Sequence, residues 1–283
     1  MRKPLVIIVV GPTATGKSGY AINLAKQVQG EIISADSRQV YKGLNIGSGK
    51  ITKKEMHGVP HYMLDVVPPS KVFSAHDFKK KAEPILKNIL ARSKTPIVVG
   101  GTGLYVDVLF GDMTLPKVPP NKSLRRELGK LSTESLFKKL QKMDPERAAS
   151  IDAKNHVRLI RAIEIATKLG KVPKIEKKES PYQLLYIGLT ADREVLRKKI
   201  EKRLRARLIQ GMLTEVKRLH KNGVSWKRMH ELGLEYRYCA LYLQGKLTLL
   251  ELEKQLADKI YQYAMRQLTW FKKNPKINWI EVK

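Results

Sequence analysis

The sequence contains little cysteine and no long apolar segment. Cys239 is the one cysteine in 283 residues, so no disulfide can form within the chain, and we expect a protein of the reducing cytoplasm. No apolar run approaches the roughly 18 residues of a membrane-spanning helix. The run at residues 5–10 is too short for the core of a signal peptide. We therefore expect a cytoplasmic protein with no membrane association.

Acidic side chains are also scarce relative to basic ones. The chain has 26 Asp and Glu against 55 Lys and Arg, a formal net charge of +29, and the excess is spread over residues 1–115, 116–180 and 190–283. A protein that binds a polyanion gains affinity and encounter rate from such a field, whereas an enzyme of small molecules gains little. A lysine-rich proteome would give the same composition, so the charge alone leaves nucleic-acid binding open.

The most informative segment is a glycine-rich loop. Residues 11–18 read Gly-Pro-Thr-Ala-Thr-Gly-Lys-Ser, after the apolar run at 5–10 and before a helical pattern at 20–28. Strand, glycine loop and helix in this order predict a P-loop, in which backbone amides and a helix N-terminus bind phosphate oxygens. Glycine-rich turns without ligands exist, but the Lys-Ser ending and the flanking elements favour a phosphate site.

The P-loop predicts a specific set of phosphate contacts. Lys17 brings a full positive charge to the phosphates, and the hydroxyl of Ser18 is the expected ligand of Mg²⁺, the one cofactor that we expect. The motif is shared by nucleotide-binding and ATP-binding proteins, so it leaves open which diphosphate or triphosphate binds and whether a phosphoryl group moves. We expect the diphosphate to contact Gly11, Thr13, Ala14, Thr15, Gly16, Lys17 and Ser18.

Alternating strand and helix patterns over residues 1–116 predict the first part of an α/β core with a parallel sheet of the P-loop NTPase type. Strands are expected at 5–10, 31–35 and 97–99, with a helix at 75–91 that Pro84 kinks or breaks. In such sheets ligands bind at the carboxyl ends of the strands. The P-loop, residues 36–39 and residues 100–104 should therefore converge on one crevice.

A proline-rich stretch at 115–120 marks a boundary in this pattern. Residues 117–180 have no strand pattern and predict a helical insertion domain, with charged amphipathic helices at 123–140 and 145–169. Residues 181–283 return to the core with a strand at 184–189. They continue as a helical C-terminal region to about residue 271, which opens with a basic helix at 193–218 that is broken near Gly211.

The strand at residues 97–99 ends differently from the corresponding strand of ordinary P-loop kinases and ATPases. Those enzymes place an acidic residue there to hold Mg²⁺, whereas residues 97–99 lead into Gly-Gly-Thr. Asp36 is the carboxylate expected near the phosphates. From its position alone it could hold metal indirectly, accept a proton from a nucleophile, or cap the next turn.

Several sequence blocks resemble the tRNA dimethylallyltransferase (isopentenyl-diphosphate:tRNA transferase) family. Ser34-Ala35-Asp36-Ser37-Arg38-Gln39-Val40-Tyr41 carries the resemblance most clearly, and it extends from residue 5 to about 271. The family implies an enzyme that moves a dimethylallyl group from dimethylallyl diphosphate to the exocyclic amine of the tRNA adenine at position 37, beside the anticodon. Further matching blocks lie at 46–50, 61–66, 73–78, 100–105, 144–145, 158, 161–164, 211–216 and 266–270.

The resemblance also implies roles for residues. Asp36 matches the proposed general base, Thr102 matches a position at the reaction channel, and Lys17 would stabilise the departing diphosphate. The family flips the target adenine out of its stack and binds the anticodon stem-loop largely through phosphates. We expect a monomer, with tRNA bound by Asp36, Ser37, Arg38, Gln39, Thr102, Arg125, Arg158 and Arg161.

This chain departs from the family pattern in its C-terminal region. Glu235 stands where the family usually has Gly, and Tyr261 and Met265 replace two expected cations. These changes put the tRNA contacts of that region in doubt, while the diphosphate motif is intact. Three other functions stay open: an adenylate isopentenyltransferase acting on a free nucleotide, a small-molecule P-loop kinase, and an RNA-binding protein with a relic P-loop.

The remaining chemistry-bearing side chains give weaker signals. His57, His61 and His76 do not have the compact spacing of a metal site, which favours structural or substrate-lining roles. Tyr41 and Tyr105 are candidates for lining a prenyl channel, with core packing as an equal alternative.

Overall fold

The computed structural model describes residues 3–111, 113, 115–174 and 179–282. Its described strands form one parallel sheet in the spatial order β3-β2-β4-β1-β5-β6, which places the P-loop strand between two neighbours. The P-loop-type α/β fold class is confirmed. The strands are β1 (Leu5–Val10), β2 (Gly30–Ser34), β3 (His61–Tyr62), β4 (Thr95–Gly100), β5 (Gln183–Thr190) and β6 (Ile277–Glu281).

The helices follow the strands in the first part of the chain and dominate the rest. Within the described residues no helix is both long and apolar enough to span a membrane. The helices are α1 (Lys17–Gln27), α2 (Ala75–Ala91), α3 (Gly103–Phe110), α4 (Lys122–Leu128), α5 (Thr133–Met143), α6 (Pro145–Ser150), α7 (His156–Leu169), α8 (Arg193–Ile209), α9 (Met212–Lys221), α10 (Trp226–Leu232), α11 (Leu234–Leu243) and α12 (Leu249–Phe271).

The sheet core is built from strands that are apolar on both faces. β1 is buried from its second residue to its end because β4 and β5 flank it. Ile7 and Val9 pack with Ile32, Ile97 and Val99, and the buried face of α1 covers them. Burial of continuous Val and Ile runs is the pattern of parallel strands covered by helices. This packing holds the carboxyl ends of β1, β2 and β4 in fixed register.

Two expectations about helix continuity concern Pro84 and residues 123–140. Of the kink or break predicted at Pro84, the break does not occur, since α2 is continuous through it; the packing of Phe78, Ala82, Leu86 and Ile89 outweighs the roughly 3 kcal/mol cost of proline in a helix interior. The predicted helix at 123–140 is divided, because Ser132 caps a new helix by accepting the backbone N–H of Ser135.

The helix predicted at 145–169 is divided in the same way. α6 ends at Ser150, and Asn155 caps α7 by accepting the backbone N–H of Arg158. The predicted break near Gly211 is confirmed, because α8 ends at Ile209 and α9 begins at Met212. The sixth strand, β6, was not predicted.

The chain forms two compact units. One comprises Met1–Gly111 and Glu179–Lys283, and the other comprises Asp112–Lys178. The second unit has its own apolar core, in which α4, α5, α6 and α7 bury Leu128, Leu136, Leu140, Leu159 and Ile163. The first and last residues of the predicted domains, Met1 and Lys283, lie outside the described residues.

Candidate active site

A cavity of about 410 Å³ opens where β1, β2 and β4 end. The P-loop, the segment after β2 and the turn after β4 line it together, so the three predicted segments share one cavity. Side chains from α8, α10, α11 and α12 complete its wall. Of the predicted diphosphate contacts, those that line it are Thr13, Ala14, Gly16, Lys17 and Ser18.

The two other P-loop residues shape the loop instead of lining the cavity. Gly11 has φ +139°, and a Cβ added there would lie 2.2 Å from the carbonyl oxygen of Leu189, so only glycine fits against β5. The buried hydroxyl of Thr15 donates to the carbonyl oxygen of Pro12 at 2.9 Å. Both contacts fix the turn that carries Lys17 into the cavity.

Lys17 is the cation of the P-loop, and its ammonium donates to the carbonyl oxygen of Pro12 at 2.6 Å. Burial is the main cause that lowers the pKa of Lys17 to about 7; the nearby charge of Arg203 lowers it further, and Asp36 partly opposes the change. A diphosphate in the cavity would favour the charged form and raise this pKa. Lys17 is therefore poised to gain a proton together with an anionic ligand.

Two oxygen donors of the cavity belong to the predicted phosphate site, the hydroxyl of Ser18 and the carboxylate of Asp36; Glu231 and Glu235 line the cavity as well. Ser18, exposed at the start of α1, and Asp36 line the same cavity. Within the described part of the chain no group of three or more His, Cys, Asp and Glu could hold a metal ion. Mg²⁺ typically keeps several waters and binds through one or two protein ligands plus substrate phosphates. This donor set therefore fits Mg²⁺ carried with a diphosphate.

Asp36 uses one of its two carboxylate oxygens to hold its own turn. Its Oδ1 accepts the backbone N–H groups of Arg38 at 2.7 Å and Gln39 at 3.3 Å. Its Oδ2 forms no hydrogen bond with the described residues, and the side chain lines the cavity. The capping role and the proton-accepting role are thus compatible, because they use different atoms.

Thr102 is hydrogen-bonded to the turn that carries Asp36. Its hydroxyl accepts the backbone N–H of Ser37 at 3.0 Å, and its own N–H donates to the carbonyl oxygen of Ala35 at 3.2 Å. Gly100 permits this approach, since an added Cβ would lie 2.1 Å from that carbonyl oxygen. Thr102 and Ser37 do not line the cavity. Their contacts support the turn that presents Asp36, and their direct roles toward a substrate stay predictions.

Arg38 and Gln39 both reach the cavity. Arg38 donates to the backbone carbonyl of Glu231 at 3.3 Å. Gln39 accepts the hydroxyl of Ser34 at 3.1 Å and donates to the carbonyl oxygen of Gly49 at 3.3 Å. Both side chains are held in place by contacts outside their own turn.

α12 supplies a buried amide that the sequence reasoning missed. Gln267 accepts the backbone N–H of Thr13 at 2.8 Å and donates to the carbonyl oxygen of Gly101 at 2.8 Å. It therefore joins the P-loop to the turn after β4. Its only sequence signal was membership of the block at 266–270.

α8 supplies two guanidinium groups that were also absent from the predicted site. Arg203 donates to the hydroxyl of Thr13, and Arg207 donates to the carbonyl oxygen of Gly47 at 3.2 Å. Burial and the charge of Arg207 lower the pKa of Arg203 to about 9, so Arg203 stays protonated at pH 7. The nearest carboxylate to Arg207 is Glu235, at 3.7 Å. The four-residue spacing of the two arginines was the available signal.

Part of the cavity wall is apolar, as a prenyl group would need. Tyr41 and Tyr105 do not belong to this wall: both are buried, and Tyr105 stacks on Phe78 with ring centroids 4.2 Å apart. Core packing is thus the observed role of both tyrosines. The larger aliphatic side chains that line the cavity are Ile32, Ile51, Leu64, Val99, Leu234 and Ile260.

The predicted tRNA contacts of the helical unit divide into paired and unpaired arginines. Arg125 and Arg161 both bind the buried carboxylate of Glu164. Burial of Glu164 opposes its ionisation, but hydrogen bonds from Arg125, the backbone of Asn121 and Arg161 outweigh it and lower the pKa to about 2. Arg158 is exposed and forms no ion pair with the described residues. Whether these three bind RNA stays a prediction.

Comparisons with known proteins identify the family. A family model described as IPP transferase matches residues 39–274. The tRNA dimethylallyltransferase of Anoxybacillus flavithermus is 40% identical over 282 residues, which cover 98% of this chain and 90% of that protein. The tRNA dimethylallyltransferase 2 of Treponema denticola is 42% identical and covers 97% and 95% of the two chains.

Solved structures give the same result. The full-length tRNA isopentenylpyrophosphate transferase of Bacillus halodurans has 38% identity and a TM-score of 0.74, over 99% of this chain and 90% of that one. A eukaryotic dimethylallyltransferase, described as acting on tRNA, has 27% identity and a TM-score of 0.84 over 98% and 74%. Sequence motifs, cavity and relatives agree, and the chain belongs to the IPP transferase family.

Proposed function

We propose that this protein transfers a dimethylallyl group from dimethylallyl diphosphate to the exocyclic amine of adenine 37 in tRNA, releasing diphosphate. The observation that carries the proposal is the cavity that the P-loop lines together with Asp36, whose Oδ2 accepts no hydrogen bond from the described residues. This arrangement suits a displacement in which an anion leaves and a proton is taken up within one cavity.

The proposed step exchanges two bonds. The bond between the dimethylallyl C1 and its diphosphate oxygen breaks, and a bond from the adenine exocyclic nitrogen to C1 forms. The proton lost by the amine passes to Asp36, and the electron pair of the broken bond leaves with diphosphate. Asp36 is thus proposed as the general base.

The leaving diphosphate gains negative charge as the bond breaks. Lys17 and Arg203 line the cavity beside the P-loop amides and would stabilise that charge. Mg²⁺, held by Ser18 and the substrate phosphates, would supply further neutralisation when bound.

The tRNA substrate requires recognition beyond the target base. We propose that Asp36, Arg38 and Gln39 contact the flipped adenine, with Ser37 and Thr102 supporting their turn. Arg158 is proposed to bind a tRNA phosphate. Arg125 and Arg161 are proposed to attract tRNA phosphates through their positive charge while they stay paired with Glu164. We further propose that the protein acts as a monomer in the cytoplasm, where its substrate occurs.

The experiment supplies labelled dimethylallyl diphosphate with unmodified tRNA, with AMP, or with neither. We expect label in tRNA alone, and mapping should place it on adenine 37. Label in AMP alone would replace the proposal with an adenylate isopentenyltransferase. Phosphate transfer from labelled ATP to a small acceptor, without prenyl transfer, would indicate a kinase.

A further inference from the structure

A second cavity, shallower and of about 490 Å³, adjoins the active-site cavity. Glu231 and Arg237 line both cavities, so the two share one wall built from α10 and α11. The other residues that line the second cavity are Trp226, Lys227, His230 and Gln244. No residue of this group other than Glu231 is acidic.

Among the described residues, no carboxylate forms an ion pair with Lys227 or Arg237 of this second cavity. Glu231, its one acid, already pairs with Arg228 at 2.9 Å. Arg237 donates to the backbone carbonyl of His230 at 3.0 and 2.8 Å, which orients the guanidinium but leaves its charge uncompensated. Lys227 is exposed and has no ion pair within the described residues. The cavity therefore presents net positive charge to solvent.

Trp226 gives the cavity an aromatic surface that is already held in place. Its ring stacks on His220, with ring centroids 3.7 Å apart and an interplanar angle of 25°. The side chain is only half-buried, and its indole N–H has no partner among the described residues. A rigid, partly exposed aromatic ring beside uncompensated cations is the combination that binds single-stranded nucleic acid.

We propose that this cavity binds an unpaired nucleotide adjacent to the target adenine, and this rests on the proposed function. Trp226 stacks on the base, and Lys227 and Arg237 bind the connecting phosphates. Gln244 lies within the cavity as a donor and acceptor for a base edge. The shared wall explains why the occupant is a neighbour of the target, since Arg237 faces both cavities. A protein partner is disfavoured because every side chain that lines the cavity, except Trp226, is polar or charged.

The test measures binding of a fluorescent anticodon stem-loop RNA to the full chain, with three forms of the RNA. One form is unaltered, and the other two lack the base on the 5′ or the 3′ side of the target adenine. Trp226→Leu keeps apolar bulk against His220 and removes the aromatic face. Its affinity for the unaltered RNA should fall about 5- to 150-fold, the range for one stacked base.

The decisive observation is whether the affinity loss of Trp226→Leu requires one particular base of the RNA. With the RNA that lacks the stacked base, Trp226→Leu should cost nothing further, whereas the other abasic RNA should show the full loss. Trp226→Tyr should restore most of the affinity. Lys227→Ala should weaken binding and flatten its salt dependence, and the matched variant Lys246→Ala, an exposed lysine outside both cavities, should not.

Equal losses with all three RNAs, or no loss with any, would overturn the proposal, as would a loss explained by a lower melting temperature of the variant. Binding and prenylation are read separately. If the coupling is present but the unmodified protein leaves the RNA without label, the nucleotide site stands and the proposed reaction is wrong.

Discussion

Lys17 and Asp36 are the two side chains on which the proposed chemistry depends most. The first is a P-loop ammonium that a buried setting leaves partly uncharged, and the second is a carboxylate with one oxygen committed to its turn. The two groups interact, because the charge of Asp36 helps to keep Lys17 protonated. Their variants remove different parts of the proposed chemistry, the charge that stabilises the leaving group and the base that accepts the proton.

Replacing Lys17 tests the leaving-group half. Lys17→Ala removes a charge that would stabilise the departing diphosphate, a loss of about 2.7–4 kcal/mol by analogy with other single electrostatic stabilisers. Turnover should fall by on the order of 10²–10³-fold, measured as the single-turnover rate of prenylation. Near-normal turnover would contradict the role of the P-loop as diphosphate anchor.

Asp36→Asn tests the proton-accepting half. Asparagine keeps an oxygen that can accept the backbone N–H groups of Arg38 and Gln39, so the turn should survive. The rate at saturation should fall by about 10²–10⁴-fold because the base is lost, with the affinity for both substrates nearly unchanged. If diphosphate affinity collapsed while the saturating rate held, Asp36 would be a binding or metal residue.

The pKa of Lys17 predicts how diphosphate binding depends on pH. In the free protein this pKa is about 7, and an anionic ligand raises it, so binding takes up a proton above pH 7. The affinity for dimethylallyl diphosphate should therefore fall as pH rises from about 7.5 to 9, approaching tenfold per pH unit. Calorimetry in buffers of different ionisation enthalpy measures the proton uptake directly.

Lys17→Arg is the matched control for this pH dependence, because a guanidinium keeps its proton to a higher pH than an ammonium in the same setting. Its affinity should change far less than that of the unmodified protein over this pH range. A flat profile in the unmodified protein would show that Lys17 is fully charged before the ligand binds.

At the scale of elements, α9 fixes the loop at residues 45–49, which contacts Gln39. The buried carboxylate of Glu215 accepts the backbone N–H groups of Asn45, Ile46 and Gly47 at 3.0, 2.8 and 3.1 Å. It also accepts the hydroxyl of Tyr236 from α11 at 2.9 Å. Four donors on one carboxylate join the loop to two helices, and Gly49 of the same loop accepts the side chain of Gln39.

Glu215→Gln should loosen this loop. The new amide nitrogen cannot accept, so one or two buried donors lose their partner at about 1–3 kcal/mol each. We expect a lower melting temperature and, at temperatures where the variant is folded, a raised KM for tRNA with little change in the affinity for dimethylallyl diphosphate. The tRNA effect follows because Gln39 loses a fixed acceptor.

Glu253→Gln is the control, because it makes the same substitution at a carboxylate whose one ion pair among the described residues is with exposed Arg205, at 3.8 Å. It should change neither the melting temperature nor the KM for tRNA. An equal rise in KM for both substrates of Glu215→Gln would show a general distortion of the cavity.

For the whole molecule, the net charge of +29 predicts salt-dependent tRNA binding. The logarithm of the affinity should fall with the logarithm of salt concentration by about 0.7–0.9 for each phosphate neutralised. Arg158→Glu should weaken tRNA binding and flatten this slope, with the melting temperature unchanged, because Arg158 is exposed and unpaired within the described residues. A shallow slope in the unmodified protein would favour the free-nucleotide alternative.

Arg125→Ala is the informative comparison, because it removes a partner of buried Glu164. The melting temperature should fall, since the buried carboxylate of Glu164 loses one of its two cationic partners and keeps only Arg161 among the described residues. The salt slope should change less than in Arg158→Glu. The opposite pattern would assign Arg125 to RNA binding.

Local patterns in the sequence determined the P-loop, β1 and the limits of α2, because each depends on residues that are close along the chain. The glycine spacing sets the loop, a continuous apolar run sets a buried strand, and Ser74 with Asp77 forms the capping box that starts α2. The motif blocks likewise predicted that Lys17 and Asp36 would share a cavity, since the carboxyl ends of parallel strands meet at one edge.

Tertiary structure alone decided which distant side chains complete or leave that cavity. Gln267 and Arg203 reach the P-loop from helices more than 180 residues away, and the hydroxyl of Thr102 accepts the backbone N–H of Ser37. Arg125 pairs with Glu164 because α4 packs beside α7, whereas Arg161 reaches the same carboxylate from three residues away on α7 itself. Apart from that local pair, these outcomes depend on packing and hydrogen bonding between segments far apart in sequence, which no local pattern encodes.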